Sequence, residues 1–403
     1  MPSPAPAELL ALAEAHVPSF LHDLRTLCAI DSGSYDRDGV NAVVDWCAER
    51  FHRIGLAVER LEHRPADDET PIGDMLVGRR RGRRPVEAGG RRLLLLAHCD
   101  TVYDRGTAAA RPVRVEGDRV LGPGVTDDKG GLLTGLYALS LLGELGWDDF
   151  AEVTFACSPD EEIGSPFSRP HLQRLARQAD AGFCLECARE NGDVVSARKG
   201  VADLVVEITG RAAHAGVEPE RGRSAALEAA HKTVELQALN GRWPGATVNV
   251  GVLRAGTRPN VVAEHAHLQV DVRAVDRTGL EDVLRGVDAV LARSWVDGTT
   301  TTVRSGPTHV PMERTPEIAA LVDEVRAVAR ELGFHVDDAS TGGAADANTV
   351  AAVGLPVVDG LGPIGGDDHG PGEWLSLASV APRMALLAGV LSRVGCGGRP
   401  STG

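Results

Sequence analysis

The sequence predicts an α/β protein in which a mixed sheet is sandwiched by helices and interrupted by an inserted ferredoxin-like α+β domain. The first observation is the run of four leucines at 93–96, which is typical of a strand buried on both faces. The second is the alternation of such strands with amphipathic helices, the pattern of a sheet covered by helices. The third is a β-α-β-β-α-β order between 200 and 307, which is the split pattern of the ferredoxin-like fold.

The residues on either side of the insertion form an outer domain, predicted to comprise 1–199 and 308–403. A helix is expected first, because Leu9, Val17 and Leu24 fall on one helical face. The other elements follow from apolar runs and helical periodicity: strands at 93–97, 153–157, 182–186 and 356–358, and helices at 39–53, 130–145, 166–178, 316–332 and 377–394.

The inserted domain, predicted at 200–307, has strands that alternate polar and apolar residues, as strands with one covered face do. In the strand at 265–274, for example, Leu268, Val270 and Val272 share one face. The other strands are expected at 203–209, 247–253 and 300–304, with helices at 224–239 and from Leu280 to Leu291.

The composition narrows the classes of function. The 403 residues carry a formal net charge of -15, which argues against binding to nucleic acid or anionic lipid. No stretch is judged apolar for long enough to cross a membrane, and the N-terminus does not resemble a signal peptide, so the cytoplasm is the expected location. Seven scattered cysteines suggest a reducing compartment without a disulfide framework. A basic run at 79–84 is predicted to be a solvated loop.

Acidic and histidine residues cluster where predicted strands end or where glycines let the backbone turn sharply. The clusters are His98 with Asp100, Asp127 with Asp128, Glu161 with Glu162, Glu186, and His369. Taken singly, each has a plain structural explanation as a His–carboxylate pair, a helix N-cap, an acidic helix start or a surface loop. Together they supply two imidazoles and several carboxylates, the ligands that suit zinc, with cobalt or manganese also possible. A carboxylate shared by two ions would make a two-metal hydrolase site.

Motifs of competing enzyme classes are weak or missing. The sequence contains no GxSxG nucleophile elbow, no P-loop lysine and no HExxH helix. The segment 360–365 matches GxGxxG, but Pro363 and Pro371 prevent the helix that a dinucleotide site requires.

These motifs resemble the M20 family of metallopeptidases, and in particular its glutamate carboxypeptidase branch. The resemblance runs from about residue 28 to the C-terminus and is carried by HCDTVY (98–103), GPGVTDDKGG (122–131), SPDEEIGS (158–165), LECARENGDVVSARKG (185–200), GRAAHAGVEPERGRSA (210–225), 256–262, TGGAADAN (341–348) and the His369 loop. Two departures are Cys99 beside the first histidine and the two acids Asp367 and Asp368 before the last one.

The resemblance implies a role for each clustered residue. It assigns one zinc ion to His98 and Glu186, a second to Glu162 and His369, and the bridging position to Asp127. Asp100 would orient His98, Glu161 would be the general base for an attacking water, and a cis peptide bond would follow Asp127.

The resemblance also assigns roles to the insertion and its flanks. The domain at 200–307 would be a lid and dimerisation domain, whose His214 reaches the active site of the partner subunit and stabilises the oxyanion. Lys199, Asn260, Arg304 and Gly343 would contact the substrate.

The expected function is that of a hydrolase with two Zn²⁺ per subunit, cleaving an amide bond next to a free carboxylate. The expected partners are a small peptide or N-acyl amino acid and a second copy of the chain, with neither nucleic acid nor membrane. Alternatives are an N-acyl amino acid deacylase, a dipeptidase, a metal-free binding relative, or a chiefly structural dimer.

Overall fold

The computed structural model describes residues 3–67, 70–306 and 308–397, and the chain divides into two units. The outer unit comprises Met1–Ala197, Arg314–Ser340 and Ala345–Gly403. The inserted unit comprises Arg198–Glu313 and Thr341–Ala344. The predicted bounds at 200 and 307 therefore lie inside the inserted unit, and the return of the chain to it at Thr341 is a feature that the sequence did not indicate.

Elements are numbered along the whole chain. The strands of the outer unit are β1 (Ala57–Leu61), β2 (Met75–Arg81), β3 (Arg92–His98), β4 (Arg114–Glu116), β5 (Arg119–Leu121), β6 (Glu152–Ser158), β7 (Ala181–Cys184), β8 (Val194–Arg198), β13 (Asp338–Thr341), β14 (Val357–Val358), β15 (Gly365–Gly366) and β16 (Trp374–Ser376). The last residues of β8 and β13 already belong to the inserted unit. Its helices are α1 (Pro6–Cys28), α2 (Arg37–Arg53), α3 (Thr107–Ala110), α4 (Lys129–Glu144), α5 (Ser168–Ala176), α8 (Pro316–Glu331), α9 (Asp346–Ala351) and α10 (Leu377–Gly395).

The main sheet of the outer unit has the strand order β1-β2-β6-β3-β7-β14. Strands β6, β3, β7 and β14 run parallel, whereas β1 and β2 are antiparallel to their neighbours, so the sheet is mixed as predicted. In the register, His98 lies beside Ser158 and Leu96 lies beside Cys184. Three strands therefore end side by side, and the residues that follow them meet at one edge.

The leucines of β3 explain why helices cover both faces of the sheet. Leu93 and Leu95 belong to the main hydrophobic core, and Leu94 and Leu96, which alternation places on the opposite face, are buried as well. On the neighbouring strand, Phe155 stacks on a phenylalanine of α2 with ring centroids 5.0 Å apart. Burial on both faces is what the unbroken apolar run predicts.

The buried amine of Lys129 joins the first residue of α4 to the end of α1. Its Nζ donates to the carbonyl oxygens of Leu27 (3.1 Å) and Ile30 (2.8 Å). These carbonyls lie at the end of a helix, where they lack partners within the helix, and a cation there also complements the helix dipole. The start of α4, which directly follows the candidate site residues 127 and 128, is thereby fixed to the core.

Two expectations need correction. Helix α10 is long and apolar enough to cross a membrane by length and composition. However, 78% of its apolar stretch is buried inside the protein, where α10 packs on α1, α4 and α8. The basic run at 79–84 is not simply a loop, because β2 extends to Arg81 and Arg79 pairs with Thr154 of β6. The seven cysteines all lie within the described residues, and none of them is paired in a disulfide bond.

The inserted unit contains β9 (Gly200–Thr209), α6 (Ala225–Gln237), β10 (Thr247–Ala255), β11 (His265–Ala274), α7 (Arg277–Ala292) and β12 (Thr300–Ser305). Its sheet is antiparallel with the order β10-β11-β9-β12, so the first strand of the unit lies between the third and the fourth. With both helices packed on the sheet, this is the predicted ferredoxin-like arrangement. The alternate residues Leu268, Val270 and Val272 are buried in a core of their own.

Candidate active site

His98, the last residue of β3, is 1% exposed and its ring is held on both sides. Nδ1 lies 3.0 Å from the backbone oxygen of Asp100 and 3.2 Å from its Oδ1, while Nε2 lies 2.8 Å from Oδ1 of Asp127. Burial lowers the pKa of His98, but the carboxylates of Asp100 and Asp127 outweigh it and the net shift is upward. When Nδ1 donates to Asp100, Nε2 is the nitrogen available to a metal ion.

Asp127 lies between the two histidines and contacts both. Its Oδ2 is 3.1 Å from Nε2 of His369, which in turn is 3.1 Å from Oε2 of Glu162. On the other side, Oε1 of Glu186 is 3.8 Å from Nε2 of His98. The structure thus brings the five predicted ligands together as two groups that share Asp127. The expected cis peptide bond between Asp127 and Asp128 is present.

Asp100 also fixes the segment that carries the two adjacent glutamates. Its carboxylate accepts hydrogen bonds from the backbone N–H groups of Glu161 (3.2 Å) and Glu162 (3.1 Å) and from the hydroxyl of Ser34 (2.7 Å). The two glutamates lie on one turn of 3₁₀ helix, so their side chains diverge. Potential ligand atoms of His98, Glu161 and Glu186 lie within 4.8 Å of one another, as do those of His98, Asp127 and Glu162.

The electrostatics of the site favour a bound cation. Burial and the nearby Glu186 raise the pKa of Glu161, and burial with Asp127 raises the pKa of Glu162. The hydrogen bonds that His369 donates to the carboxylates of Asp127 and Glu162 raise its pKa to about 11. Among the described residues, the buried Oε1 of Glu162 has no hydrogen-bond partner. A divalent cation would relieve the repulsion between these carboxylates and occupy that oxygen, so the donor set fits a metal site.

One buried residue of the site was missed by the sequence analysis. The Glu373 carboxylate, 1% exposed, accepts hydrogen bonds from the backbone N–H groups of Gly124 (2.8 Å), Thr126 (2.9 Å) and Asp127 (3.1 Å). Tyr103 donates its hydroxyl to the same carboxylate over 2.8 Å. Burial raises the pKa of Glu373 to about 7, although the hydrogen bonds from Thr126 and Gly124 oppose the shift. A single glutamate in a polar loop gives no sequence signal of these contacts.

A cleft of about 480 Å³ adjoins Glu162 in the outer unit. Residues 33–36 and 101–105 form its walls, together with Glu162 and Ile163. Tyr35 is 64% exposed there although it is a large aromatic residue. The guanidinium of Arg105 is already paired with Asp36, its Nε lying 2.9 Å from Oδ2, so its positive charge is neutralised at this wall.

In the inserted unit, His214 and Asn260 lie on adjacent segments. His214 forms a β-bridge with Val261, and the backbone N–H of Ala215 donates to the carbonyl of Asn260 over 3.0 Å. The His214 ring is exposed, and its Nδ1 accepts a hydrogen bond from the N–H of Gly216 over 3.2 Å. Because Nδ1 accepts, the proton of a neutral ring lies on Nε2, which is free to donate outward.

The other predicted substrate residues separate into two places within the inserted unit. Lys199 donates its backbone N–H to Thr341 (3.0 Å), next to Gly343, whose carbonyl accepts from Arg198 Nη1 (3.1 Å). Arg304 lies instead on the edge strand β12, 78% exposed and 3.8 Å from Glu207. Arg273, which the sequence analysis did not single out, reaches the Gly343 segment, donating from Nη1 to Gly342 over 2.7 Å.

Two histidines and four carboxylates thus gather at the edge of the mixed sheet, and a donor set of this kind could hold the metal ions of a hydrolase. Residues 94–393 match the sequence profile of "Peptidase family M20/M25/M40". The chain belongs to this family, as the motifs suggested, and family members with this description are metal-dependent peptidases and amidohydrolases.

The relatives of this chain include both peptidases and deacylases. The chain is 30% identical to carboxypeptidase G2 from Pseudomonas sp. (strain RS-16) over 395 residues, covering 96% of this chain and 92% of that protein. It is 28% identical to N-acetyl-L-citrulline deacetylase from Xanthomonas campestris over 49% of this chain and 54% of that one. A metallo-carboxypeptidase of the M20 family from Sulfolobus solfataricus, Sso-CP2, has the same fold, with a TM-score of 0.73, 16% identity and coverage of 93% and 98%.

Proposed function

We propose that the chain is a two-metal hydrolase that cleaves an amide bond next to a free carboxylate, most closely in the manner of a glutamate carboxypeptidase. The observation that carries the proposal is the position of Asp127, with Oδ1 2.8 Å from one histidine and Oδ2 3.1 Å from the other. If Asp127 served only to cap α4, its contacts with two histidines, each of which also contacts a further carboxylate, would have no explanation.

We assign the ions to the donor set as follows. His98 and Glu186 would hold one, Glu162 and His369 the other, and Asp127 both. Imidazole with carboxylate suits Zn²⁺ best, and Co²⁺ or Mn²⁺ would also fit. When bound, the ions supply Lewis acidity, which acidifies a water molecule and polarises the scissile carbonyl.

Glu161 has the position and the basicity of a general base. It is adjacent to the ligand Glu162, and its raised pKa, caused by burial and by Glu186, makes its carboxylate a better proton acceptor than an ordinary glutamate. Glu161 takes a proton from the attacking water and delivers it to the leaving nitrogen. Asp100 holds the backbone N–H of Glu161, and so fixes the base relative to His98.

His214 would stabilise the oxyanion that develops on the scissile carbonyl. Its Nε2–H is available to donate, because Nδ1 is engaged by the N–H of Gly216. A preorganised donor of this kind acts on charge that develops only in the transition state.

We propose that His214 acts on the partner's active site. In support, α6 of the inserted unit exposes Leu227 and Val234, and β10 is an edge strand, both features of a surface that forms a dimer.

Recognition of the substrate carboxylate is assigned to Lys199, Asn260 and the Gly343 segment. Arg304 was predicted alongside them, but it lies on an exposed edge strand beside Glu207. Arg273 contacts the Gly343 segment and is therefore a better candidate than Arg304 for binding the substrate carboxylate. The cleft beside Glu162, with Tyr35 at its wall, would take the acyl side of the substrate. The exposed side chains of Tyr35 and Val102 give part of this cleft an apolar surface, which would favour an aromatic or aliphatic acyl group.

A substrate panel separates the proposed function from its alternatives. N-acyl amino acids, peptides ending in glutamate and dipeptides are compared with the same compounds whose carboxylate is capped as an amide, at fixed Zn²⁺. Hydrolysis that requires the free carboxylate and favours peptides or aroyl-glutamates supports the carboxypeptidase assignment. A preference for short acyl groups would favour the function of an N-acyl amino acid deacylase. This function is the second candidate because of the similarity to N-acetyl-L-citrulline deacetylase. Hydrolysis of none of these compounds by the zinc-loaded chain would contradict both.

A further inference from the structure

We propose that Glu373 is a positioning residue that holds Asp127 in register with His369, and thereby sets the affinity of the metal position formed by Asp127, Glu162 and His369. The inference rests on the proposed function, since it requires that these residues bind metal. The structural observation behind it does not depend on the proposed function. Glu373 is a buried carboxylate outside the predicted ligand set, and its hydrogen bonds connect the loops that carry two of the predicted ligands.

The contacts of Glu373 occupy its whole acceptor capacity. Oε1 accepts the backbone N–H groups of Thr126 (2.9 Å) and Asp127 (3.1 Å). Oε2 accepts the N–H of Gly124 (2.8 Å) and the hydroxyl of Tyr103 (2.8 Å). An ionised carboxylate has about four lone-pair sites, so this one is saturated. Three of its donors belong to the main chain of one loop, which fixes the direction in which Asp127 leaves the backbone.

A second set of contacts reaches the His369 loop. The Tyr103 hydroxyl also lies 2.9 Å from the carbonyl oxygen of Gly370, the residue after His369, and its single proton is shared between this oxygen and Glu373. Nη1 of Arg111 donates to the same carbonyl oxygen over 3.2 Å. The backbone oxygen of Glu373 itself accepts the N–H of Gly122 over 3.3 Å. Glu373 and Tyr103 together therefore tie the loop after His98, the loop before Asp127 and the loop of His369 to one another.

The two metal positions depend on this tie to different degrees. His98 is the last residue of β3, and Glu186 follows β7, so both are placed by the buried sheet. His369 has a left-handed backbone (φ 63°) and a side chain that is 55% exposed, so neither packing nor a regular element places it. Loss of Glu373 is therefore expected to weaken the position that contains His369 more than the position that contains His98.

Titration of metal-free protein with Zn²⁺ tests the inference by calorimetry, without reference to activity. The variants are Glu373→Gln, which keeps the shape of the side chain but replaces two acceptor sites with donors, and Tyr103→Phe, which removes one hydroxyl and keeps the ring. The exposed Glu116→Gln is the matched control for loss of a carboxylate from the same unit. Melting temperatures are measured alongside.

The expected result is two binding events for the wild type and Glu116→Gln. In Glu373→Gln one event, assigned to the position that contains His369, should lose about 10- to 100-fold in affinity, the range for partners that orient metal ligands, while the other changes far less. Tyr103→Phe should show the same selectivity to a smaller extent, and it carries the test if Glu373→Gln does not fold. Variants that melt earlier but bind both ions like the wild type would overturn the positioning role and leave the proposed function intact. A wild type without any binding event would overturn both.

Discussion

The backbone N–H of Glu161 donates a hydrogen bond to Oδ1 of Asp100, 3.2 Å away. Asp100 also contacts Nδ1 of His98, so one buried carboxylate orients a metal ligand and the neighbouring base together. Its second oxygen accepts from Glu162 N–H and from the Ser34 hydroxyl. The resemblance implied the contact with His98 alone. The contacts with the two glutamates are a finding of the structure.

Replacement of Asp100 by alanine is expected to impair both metal binding and the chemical step. Loss of a partner that orients metal ligands costs about 10- to 100-fold in metal affinity or activity. Because Glu161 is released as well, kcat should stay low even when Zn²⁺ saturates the protein. Ser34→Ala, which removes one donor to the same carboxylate, is the milder control. Wild-type kcat for zinc-saturated Asp100→Ala would show that the link to Glu161 has no catalytic importance.

Substitution of the two adjacent glutamates separates a base from a ligand. Glu161→Gln should retain its metal and lose about 10²- to 10⁴-fold in kcat, the typical contribution of general acid–base catalysis. Glu162→Gln should bind one ion more weakly, because Glu162 lies 3.1 Å from His369 and the two residues are the proposed ligands of the same ion. Metal content and kcat are measured on both variants. Since ligand atoms of Glu161 also approach His98 and Glu186, loss of metal from Glu161→Gln would identify it as a ligand instead.

Metal binding should be coupled to proton release from His369. Its pKa is raised to about 11 because its ring donates hydrogen bonds to the carboxylates of Asp127 and Glu162, so the ring is protonated at neutral pH in the metal-free protein. A metal ion requires the neutral imidazole, and the proton therefore competes with it. Affinity should rise with pH, by about tenfold per unit for each proton displaced. Calorimetry in buffers of different ionisation enthalpy measures the protons released. Binding with no release and no pH dependence below the pKa would contradict this account of the site.

Mixed dimers test whether His214 acts on the partner's site. Glu161→Gln and His214→Ala are each expected to be nearly inactive, so two differently tagged chains are co-expressed and the mixed species is purified. If His214 acts across the interface, the mixed dimer has one intact site and about half the wild-type activity per dimer. If it acts within its own chain, every site lacks one group and the mixed dimer stays inactive. A monomeric wild type in light scattering would also exclude action across the interface.

The parts of the fold that were predictable are those in which local pattern and tertiary burial agree. The apolar run at 93–96 lies in β3, and alternation in the insertion placed Leu268, Val270 and Val272 in its core. The strand at 75–81 was not predictable, because its second half is basic and disfavours a strand. Cross-strand pairing with β6 overrides that tendency, and the charge of Arg79 is met by Glu59, 3.2 Å away.

The same reasoning explains which site residues could be found from the sequence. His98, Asp127 and Glu186 follow recognisable strands or glycine-rich turns, so chemistry and position coincide in the sequence. Glu373 acts through backbone groups nearly 250 positions earlier, such as that of Gly124, and no periodicity or spacing encodes such a contact. Whether a neighbouring acid is a ligand, a base or a support depends on the three-dimensional partner of each oxygen atom, which only the structure provides.

The metal content of the wild-type chain, purified without chelator and assayed before and after metal removal, tests the central claim most directly. The account predicts about two divalent ions per chain, loss of amide hydrolysis after chelation, and recovery when Zn²⁺ is returned. Protein that carries no bound metal and hydrolyses the same substrates equally well in the presence of chelator would contradict it.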